Sequence, residues 1–185
     1  MVYKRMNKTT TIIGDKVLLR PIDDSDTASI IKWRNSENVI RQFVFRETLT
    51  EEMHTNWLET RVVSGEVVQF VINVKDKNTD IGSVYLRDIR KEPGIAEYGI
   101  FIGEDNYRYT GYGSETCALI LSYSWDVLKL KSVFLRVFKD NYAAIESYRK
   151  NGFVPISPEE LSAFVDLDYI VPDMKFMIIN NLKGQ

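Results

Sequence analysis

The feature that most constrains this chain is a strand, a glycine-containing loop and a helix that follow one another between residues 95 and 128. The stretch IAEYGIFIG (95–103) alternates in polarity, which predicts a strand with Glu97 on the opposite face from Tyr98. The helix is predicted over 114–128 by an apolar stripe at spacings of three and four: Cys117, Ile120, Leu121, Trp125 and Leu128. A strand therefore leads through bare backbone into an amphipathic helix.

The loop itself, NYRYTGYGSE (106–115), places Gly111 and Gly113 just after Arg108. A P-loop would continue with Lys after its last glycine, and a dinucleotide fingerprint would need a third glycine where Thr116 stands. What remains is a helix N-terminus with exposed amides beside a cation, which suits a phosphate or pyrophosphate. A tight turn with no ligand explains the glycines equally well at this point.

The other periodic segments predict a mixed sheet with helices packed on it, that is, an α/β (α+β) domain. Strand patterns cover 16–22, 67–74, 81–89, 132–138 and 168–179, and helix patterns cover 23–35, 48–65 and 141–153. Thr48 and Glu51 have capping-box spacing at the start of the second helix. Asn141 and Gly152 are suited to begin and end the last helix.

Composition narrows the class of protein. The 185 residues suit one domain, 1–185, in which we expect 1–15 to be an N-terminal extension. A net charge of −2 without basic clusters argues against nucleic acid as a partner. The single Cys excludes an internal disulfide and a cysteine metal cluster, and we expect no metal site. Because no signal peptide or membrane span is visible, we expect no membrane partner and a cytoplasmic location.

Two segments resemble motifs of the GNAT acyltransferase superfamily. Arg108-x-x-Gly111-x-Gly113 matches its Arg/Gln-x-x-Gly-x-Gly/Ala signature, after a strand that resembles the family's fourth. The segment NYAAIESYRKNGF resembles a second family pattern, with every member present: Asn141, Ala144, Tyr148, Lys150, Gly152 and Phe153. The opening VLLRPIDDSDTASIIKWRN resembles the branch that includes ribosomal-protein N-terminal acetyltransferases and bacterial amino-sugar N-acetyltransferases, so the resemblance spans roughly 16–180.

The resemblance implies a single GNAT-type domain, with a central, mostly antiparallel sheet that splays between the family's fourth and fifth strands and is flanked by helices. It implies acetyl-CoA as the donor, with pyrophosphate on the glycine loop and pantetheine in the splay. The residues it assigns to the donor are Phe101, Ile102, Arg108, Tyr109, Thr110, Gly111, Tyr112, Gly113, Ser114, Asn141 and Ala144.

Two residues are the candidates for proton transfer. In the family, the tyrosine that matches Tyr148 protonates or hydrogen-bonds the departing sulfur; without the motif we would interpret Tyr148 as a core aromatic. Glu97 is the candidate base, with a solvent-facing strand residue as the alternative. Family members often deprotonate the amine through water, so a single base is not required. Cys117 lies on the buried stripe, which argues against an acyl-cysteine route.

The acceptor side is assigned by position in the family. We expect Trp33, Arg34 and Asn35, at the end of the first helix, to line the acceptor pocket, although Trp33 suits the core equally well. His54, the only His, lies on a helix that borders the acceptor in the family, and a surface or packing role on that amphipathic helix is a stronger interpretation than a role as base.

The sequence therefore predicts an acetyl-CoA-dependent N-acetyltransferase that moves an acetyl group directly to a primary amine. The acceptor would be an amino sugar, a protein or peptide N-terminus, or a polyamine. A catalytically inactive acyl-CoA-binding regulatory module is the alternative, which the intact Asn141 and Tyr148 disfavour. An exposed final strand could pair across a homodimer.

Overall fold

The computed structural model describes residues 10–167 and 172–182, which form one sheet with helices on both faces. The strands are β1 (Ile12–Ile13), β2 (Val17–Pro21), β3 (Val68–Val74), β4 (Thr79–Arg90), β5 (Ile95–Ile102), β6 (Ser132–Phe138), β7 (Val154–Ile156) and β8 (Met174–Asn180). The helices are α1 (Thr27–Arg34), α2 (Glu37–Ile40), α3 (Glu51–Trp57), α4 (Tyr112–Asp126), α5 (Tyr142–Lys150) and α6 (Pro158–Leu161).

The eight strands lie in the order β1-β2-β3-β4-β5-β6-β8-β7. Every neighbouring pair is antiparallel except β5 and β6, which run parallel because α4 crosses over between them. The predicted fold class, a mixed and mostly antiparallel sheet flanked by helices, is confirmed.

The pairing of β5 with β6 covers only one end of each strand. The paired positions are Ile95 with Ser132, Ala96 with Val133 and Glu97 with Phe134. Beyond them β5 continues alongside β4 as far as Gly82–Ile102, whereas β6 stays paired with β8 along its whole length. The two strands therefore part after Glu97, which is the predicted splay.

The sheet has a hydrophobic cluster on each face, and β5 contributes to both. On one face Tyr98 packs with α4 and α5, in a core that contains Cys117, Ile120 and Ile145. On the other face Phe101 packs in a smaller cluster with residues of α1 and of the turn that continues α3. Successive side chains of β5 therefore pack on opposite faces of the sheet, as the two-residue period of a β-strand requires.

Several predicted boundaries agree with the structure and one capping assignment is wrong. Asn141 caps α5 by accepting a hydrogen bond from the Ala144 amide, and Gly152 follows that helix with φ of 93°. The cap of α3 is Thr50, which accepts from the Met53 amide, and not Thr48. α3 continues directly into a π-helical turn, Leu58–Val62, because its backbone bonds there lengthen to i+5.

Four short elements escaped the sequence patterns, and one of them corrects an expectation. β7 pairs with β8 at Phe176–Ile178, so the final strand is not a sheet edge and the stated reason for a homodimer is wrong; the homodimer itself stays a prediction. β1 pairs with β2, so Ile12 and Ile13, inside the predicted 1–15 extension, belong to the sheet. α2 and α6 have only four residues each, too few for a helical period to show.

Some expectations lie outside the described residues, namely 1–9 of the extension and 168–171 of the predicted last strand. Over the ranges 10–167 and 172–182, no helix has both the length and the apolar character to span a membrane. The cytoplasmic location stays a prediction.

Gly99 provides a stability test of the face that carries Glu97. A Cβ at Gly99 would overlap the ring of Tyr85, its cross-strand partner on β4. We expect Gly99→Ala to lower the free energy of unfolding by about 1–3 kcal/mol, because the ring must move. Urea unfolding measures this change.

The matched control is Gly113→Ala, whose Cβ would meet only Ile100 Cδ1 at 4.0 Å. We expect that variant to unfold like the wild type. If Gly99→Ala costs as much in a Tyr85→Leu background as in the wild type, overlap with the ring is not the reason.

Candidate active site

A cavity of about 1020 Å³ opens where β5 and β6 part, and its lining comes from both faces of the sheet. From the face of α4 and α5 come Ile100, Gly111, Gly113, Ser114, Asn141, Ala144 and Tyr148. From the face of α1 and α3 come Arg34, His54, Trp57, Gln69, Tyr85, Arg87, Glu97 and Arg136. The gap between the strands thus joins two pockets with different chemistry.

The corner between β5 and α4 is bare backbone for two separate reasons. Gly111 is the N-cap of α4 with φ of 91°, a left-handed conformation that favours glycine. Gly113 has no such requirement, and a Cβ atom there would meet nothing closer than Ile100 Cδ1 at 4.0 Å. Because packing does not demand glycine at 113, the open space above its backbone suits the close approach of a ligand to the first amides of α4.

Contacts with two neighbouring residues hold the Arg108 side chain beside this glycine corner. Its Nη2 donates to the Ile102 carbonyl at 2.9 Å, and its Nε lies 3.1 Å from Asp105 Oδ1. Tyr109 is exposed with φ of 60°, and the Thr110 hydroxyl donates to the Tyr107 carbonyl at 2.7 Å. The loop residues are thus positioned mainly by local bonds, with Arg108 lining the cavity.

The helix α5 supplies the second wall of this pocket. Its C-cap, Asn151, donates from Nδ2 to the Ser114 hydroxyl at 3.0 Å, which ties the end of α5 to the start of α4. At the other end of α5, Asn141 Nδ2 donates to Gln42 Oε1 at 3.0 Å, so its side chain contacts the segment 41–50 as well as its own helix. Ala144 lies one turn further along the same wall.

Tyr148 lines the cavity and packs against two aromatic rings. Its ring centroid lies 5.9 Å from those of Tyr98 and Phe153. Burial raises the pKa of Tyr148 above its ordinary value, with smaller contributions from Cys117 and Tyr85, so the hydroxyl carries its proton at neutral pH. Burial also raises the pKa of the Cys117 thiol to about 12, which leaves it a poor nucleophile.

On the opposite face, Glu97 is held between two arginines. Arg87 donates to Oε2 from Nε at 3.1 Å and from Nη2 at 2.9 Å, while Arg136 donates to Oε1 at 2.9 Å and to Oε2 at 2.8 Å. The Glu97 side chain is only 7% exposed. The carboxylate predicted as a base therefore already has both oxygens engaged by guanidinium groups.

Neither arginine was predicted, and neither was the amide network beside them. Trp57 Nε1 donates to Gln69 Oε1 at 2.8 Å, and Gln69 Nε2 donates to the Ser83 hydroxyl at 3.0 Å. The sequence signal for these residues is a polar side chain in a mostly apolar strand, such as Gln69 in VVQFVINV or Arg136 in SVFLRVF. That signal does not reveal which face the residue occupies or what it contacts.

His54 is buried in this pocket, with Nδ1 3.0 Å from the Thr27 hydroxyl. Its Nε2 is buried and has no hydrogen-bond partner within 10–167 and 172–182. Burial lowers the pKa of His54, an effect that the charge of Asp26 offsets only in part, so the ring is neutral at neutral pH. In the same ranges, no group of three or more His, Cys, Asp or Glu side chains is arranged to hold a metal ion.

The three residues at the end of α1 have different positions. Trp33 is core, with Nε1 donating to Glu104 Oε1 at 2.8 Å. Asn35 exchanges two hydrogen bonds with the backbone of Leu49, at 2.8 and 2.9 Å, and so holds the segment that follows α2. Of the three, only Arg34 lines the cavity.

These features coincide with a known family. The Acetyltransferase (GNAT) domain family matches residues 16–154. The chain belongs to the GNAT acetyltransferase family, and the resemblance stated from its motifs is confirmed. The alpha/beta-tubulin-N-acetyltransferase 9 of Mus musculus is 26% identical over 188 residues, covering 94% of this chain and 77% of that protein. The protein of the same name from Drosophila melanogaster is 28% identical, covering 91% and 90%.

Solved structures share the fold. The spermidine N-acetyltransferase of Vibrio cholerae, solved with CoA and spermine, has a TM-score of 0.76 at 22% identity and covers 90% of this chain and 96% of its own. A domain from Methanocaldococcus jannaschii has a TM-score of 0.74 at 22% identity, covering 91% and 100%. These structures show the same fold, and the family match together with the named relatives identifies the chain as an N-acetyltransferase.

The buried His54 predicts a dependence of stability on pH. Its pKa is lowered in the folded state, so at pH values below about 6.5 the unfolded chain binds a proton that the folded protein does not. The free energy of unfolding should therefore be greatest above about pH 6.5 and fall on acidification, by up to about 1.4 kcal/mol per pH unit. Urea unfolding between pH 7.5 and 5.5 measures this slope.

Because His54 is the only histidine in the sequence, His54→Gln is a clean comparison. We expect the variant to have a shallower slope over the same range. Equal slopes for the wild type and the variant would mean that His54 titrates normally in the folded protein.

Proposed function

We propose that this enzyme transfers the acetyl group of acetyl-CoA directly to a primary amine. The observation that carries the proposal is the cavity through the parted strands, which connects the glycine corner and Tyr148 with a polar pocket on the other face. Such a passage lets a thioester and an amine meet while they enter from different sides. The family and the named N-acetyltransferase relatives support the same chemistry.

The donor half would be built from main-chain groups. The amides of Gly111 to Ser114, at the positive end of α4, would hold the pyrophosphate, and the open space above Gly113 fits that approach. Arg108 would add positive charge beside it. The pantetheine arm would lie in the gap alongside Phe101 and Ile102, with Ala144 and the capping residue Asn141 on the facing wall.

Tyr148 would act as the acid. When the amine nitrogen bonds to the carbonyl carbon and the carbon–sulfur bond breaks, the departing sulfur needs a proton or a strong hydrogen bond. Tyr148 lines the cavity, and its raised pKa keeps the hydroxyl protonated and able to donate. Because the pKa of a thiol is about 8.5, below that of Tyr148, the hydroxyl would stabilise the departing thiolate mainly as a hydrogen-bond donor and would keep most of its proton.

The amine must also lose a proton, and three routes remain. Glu97 lies in the polar pocket where the amine would bind, but a proton on its carboxylate would have to displace a hydrogen bond from Arg87 or Arg136. His54 is neutral, and its Nε2 offers a lone pair if Nδ1 donates its proton to Thr27. Water in the cavity is the third route, and it is favoured because it breaks none of these bonds.

The acceptor we propose is a primary amine of one of three alternative kinds: an amino sugar, a protein N-terminus or a polyamine. Relatives named for tubulin and structures named for spermidine support amine acceptors in general. No observation favours the inactive acyl-CoA-binding module.

The proposal is tested by adding acetyl-CoA alone and then with an amine panel. Acetyl-CoA should stabilise the wild type by about 2.7 kcal/mol at a hundredfold excess over its dissociation constant, and amines should trigger CoA release. Gly113→Val should lose both effects, because its side chain fills the space over the first amides of α4. Thermal unfolding and a thiol assay measure the two effects.

The same substitution is not expected to unfold the protein, since little packs against Gly113. If Gly113→Val is folded and still binds acetyl-CoA like the wild type, the glycine corner is not the phosphate site.

Tyr148→Phe tests the acid. The ring and its contacts with Tyr98 and Phe153 remain, so stability and acetyl-CoA binding should persist. The rate of acetyl transfer should fall about 10²–10⁴-fold, because the hydroxyl acts in the transition state. Single-turnover kinetics isolates this step from product release, and a wild-type rate there would make Tyr148 a structural residue.

A further inference from the structure

Arg34 stands out in the polar pocket on the face of α1 and α3, called the amine pocket below, because no carboxylate within 10–167 and 172–182 pairs with it. Its guanidinium carbon lies 3.4 Å from the centroid of the Phe43 ring, and Phe43 in turn packs edge-on against Phe101. Its Nη1 is buried without a hydrogen-bond partner in the described part of the chain. Burial lowers the pKa of Arg34, and Tyr85 offsets this only in part. A guanidinium in such a place is costly unless an anion pairs with it.

The charged residues that the structure describes around Arg34 also indicate that its guanidinium lacks an anionic partner. Among the described residues, the cavity lining on this face has three arginines, Arg34, Arg87 and Arg136, and one carboxylate, Glu97. Arg87 and Arg136 both pair with that carboxylate, and Arg87 Nε also lies 3.7 Å from Asp88 Oδ2, so Arg34 is the guanidinium of this face to which no described carboxylate is bound. Glu146, the other acidic residue in the described lining, is exposed and pairs with Arg149 at 2.7 Å.

We propose that the acceptor is a primary amine that carries an anionic group, a carboxylate or a phosphate, which Arg34 binds while the amine faces the gap between β5 and β6. This inference rests on the proposed function, whose amine pocket it specifies. The fork of Arg34 suits two oxygens of such a group, and the Phe43 ring holds the guanidinium plane in place.

The same charges disfavour a polycationic acceptor. An amine chain with two or more ammonium groups would have to leave water for a pocket in which the Arg34 guanidinium already lacks a carboxylate among the described residues. Without further carboxylates, that transfer is opposed by both desolvation and repulsion. The shared fold with spermidine N-acetyltransferase concerns the backbone and not these side chains.

The test compares amines that differ only in the anion. One pair is glucosamine 6-phosphate and glucosamine, the other is the α-amide of glutamate and that of glutamine, and spermidine is added as the polycation. We expect wild-type kcat/KM to be roughly 10- to 100-fold higher for the anionic member of at least one pair, the scale of a charge-assisted bond, and lowest for spermidine. The pair that responds identifies phosphate or carboxylate as the source.

Arg34→Gln should lose this preference by lowering kcat/KM for the anionic amine alone, whereas Arg34→Lys should keep part of it. Arg41→Gln, an exposed arginine outside the cavity lining, is the matched control and should behave like the wild type. No anion preference in the wild type, or an equal loss for both members of each pair in Arg34→Gln, would overturn the assignment.

A binding experiment separates this inference from the proposed function. With CoA saturating the donor half, thermal unfolding reports binding of glucosamine 6-phosphate and glucosamine, and of the two amides, without turnover. If no amine is acetylated but the anionic member binds more tightly and only Arg34→Gln removes the difference, the proposed function fails and the anion site stands. If binding shows no difference either, both fail.

Discussion

Three strands are held together by one carboxylate at the place where the sheet divides. Glu97 lies on β5, Arg87 on β4 and Arg136 on β6, and Glu97 is the last residue of β5 that pairs with β6. The ion cluster therefore takes over where backbone hydrogen bonds between β5 and β6 end. Removing one member of such a buried cluster typically costs about 3–5 kcal/mol, because the remaining charges lose their partner. The opening between β5 and β6 depends on this ion cluster, because the cluster fixes the point at which the two strands separate.

Most of the site follows from that division. Beyond Glu97, alternate residues of β5 face opposite sides of the sheet. Tyr98 and Ile100 face α4 and α5, whereas Gly99 and Phe101 face α1 and α3. Gly99 is bare because the ring of Tyr85 lies across it. A passage through a sheet is otherwise rare, since adjacent strands normally seal the space between them with hydrogen bonds.

The sequence predicted the parts of the fold and site whose signal is local. The strand–loop–helix at 95–128 and the caps Asn141 and Gly152 were legible because period and backbone conformation depend on near neighbours. The cap at Thr50 was missed because Thr48 has a Glu three residues on, the capping-box pattern, whereas Thr50 has Met53 at that spacing and caps through its hydroxyl alone. β7 was missed because three residues are too few to show alternation.

Side-chain partners were less predictable than backbone elements. Glu97 was recognised as facing away from Tyr98, but its contacts with Arg87, ten residues back, and Arg136, thirty-nine residues on, follow from strand order. The core position of Trp33 and the cavity position of its neighbour Arg34 likewise depend on how α1 lies on the sheet. Neither relation leaves a trace in sequence spacing.

The two halves of the cavity differ in how strongly a single amino-acid substitution can alter ligand binding. In the half proposed for the donor, main-chain amides and two glycines would bind the ligand, and most substitutions elsewhere leave these groups intact. In the half proposed for the acceptor, side chains would bind the ligand, among them Arg34, to which no carboxylate in the described part of the chain is bound. Drift at such positions would redirect the enzyme towards new amines while the donor half stayed the same. The architecture is therefore well suited to diversification by gene duplication, because one half can vary without loss of the other.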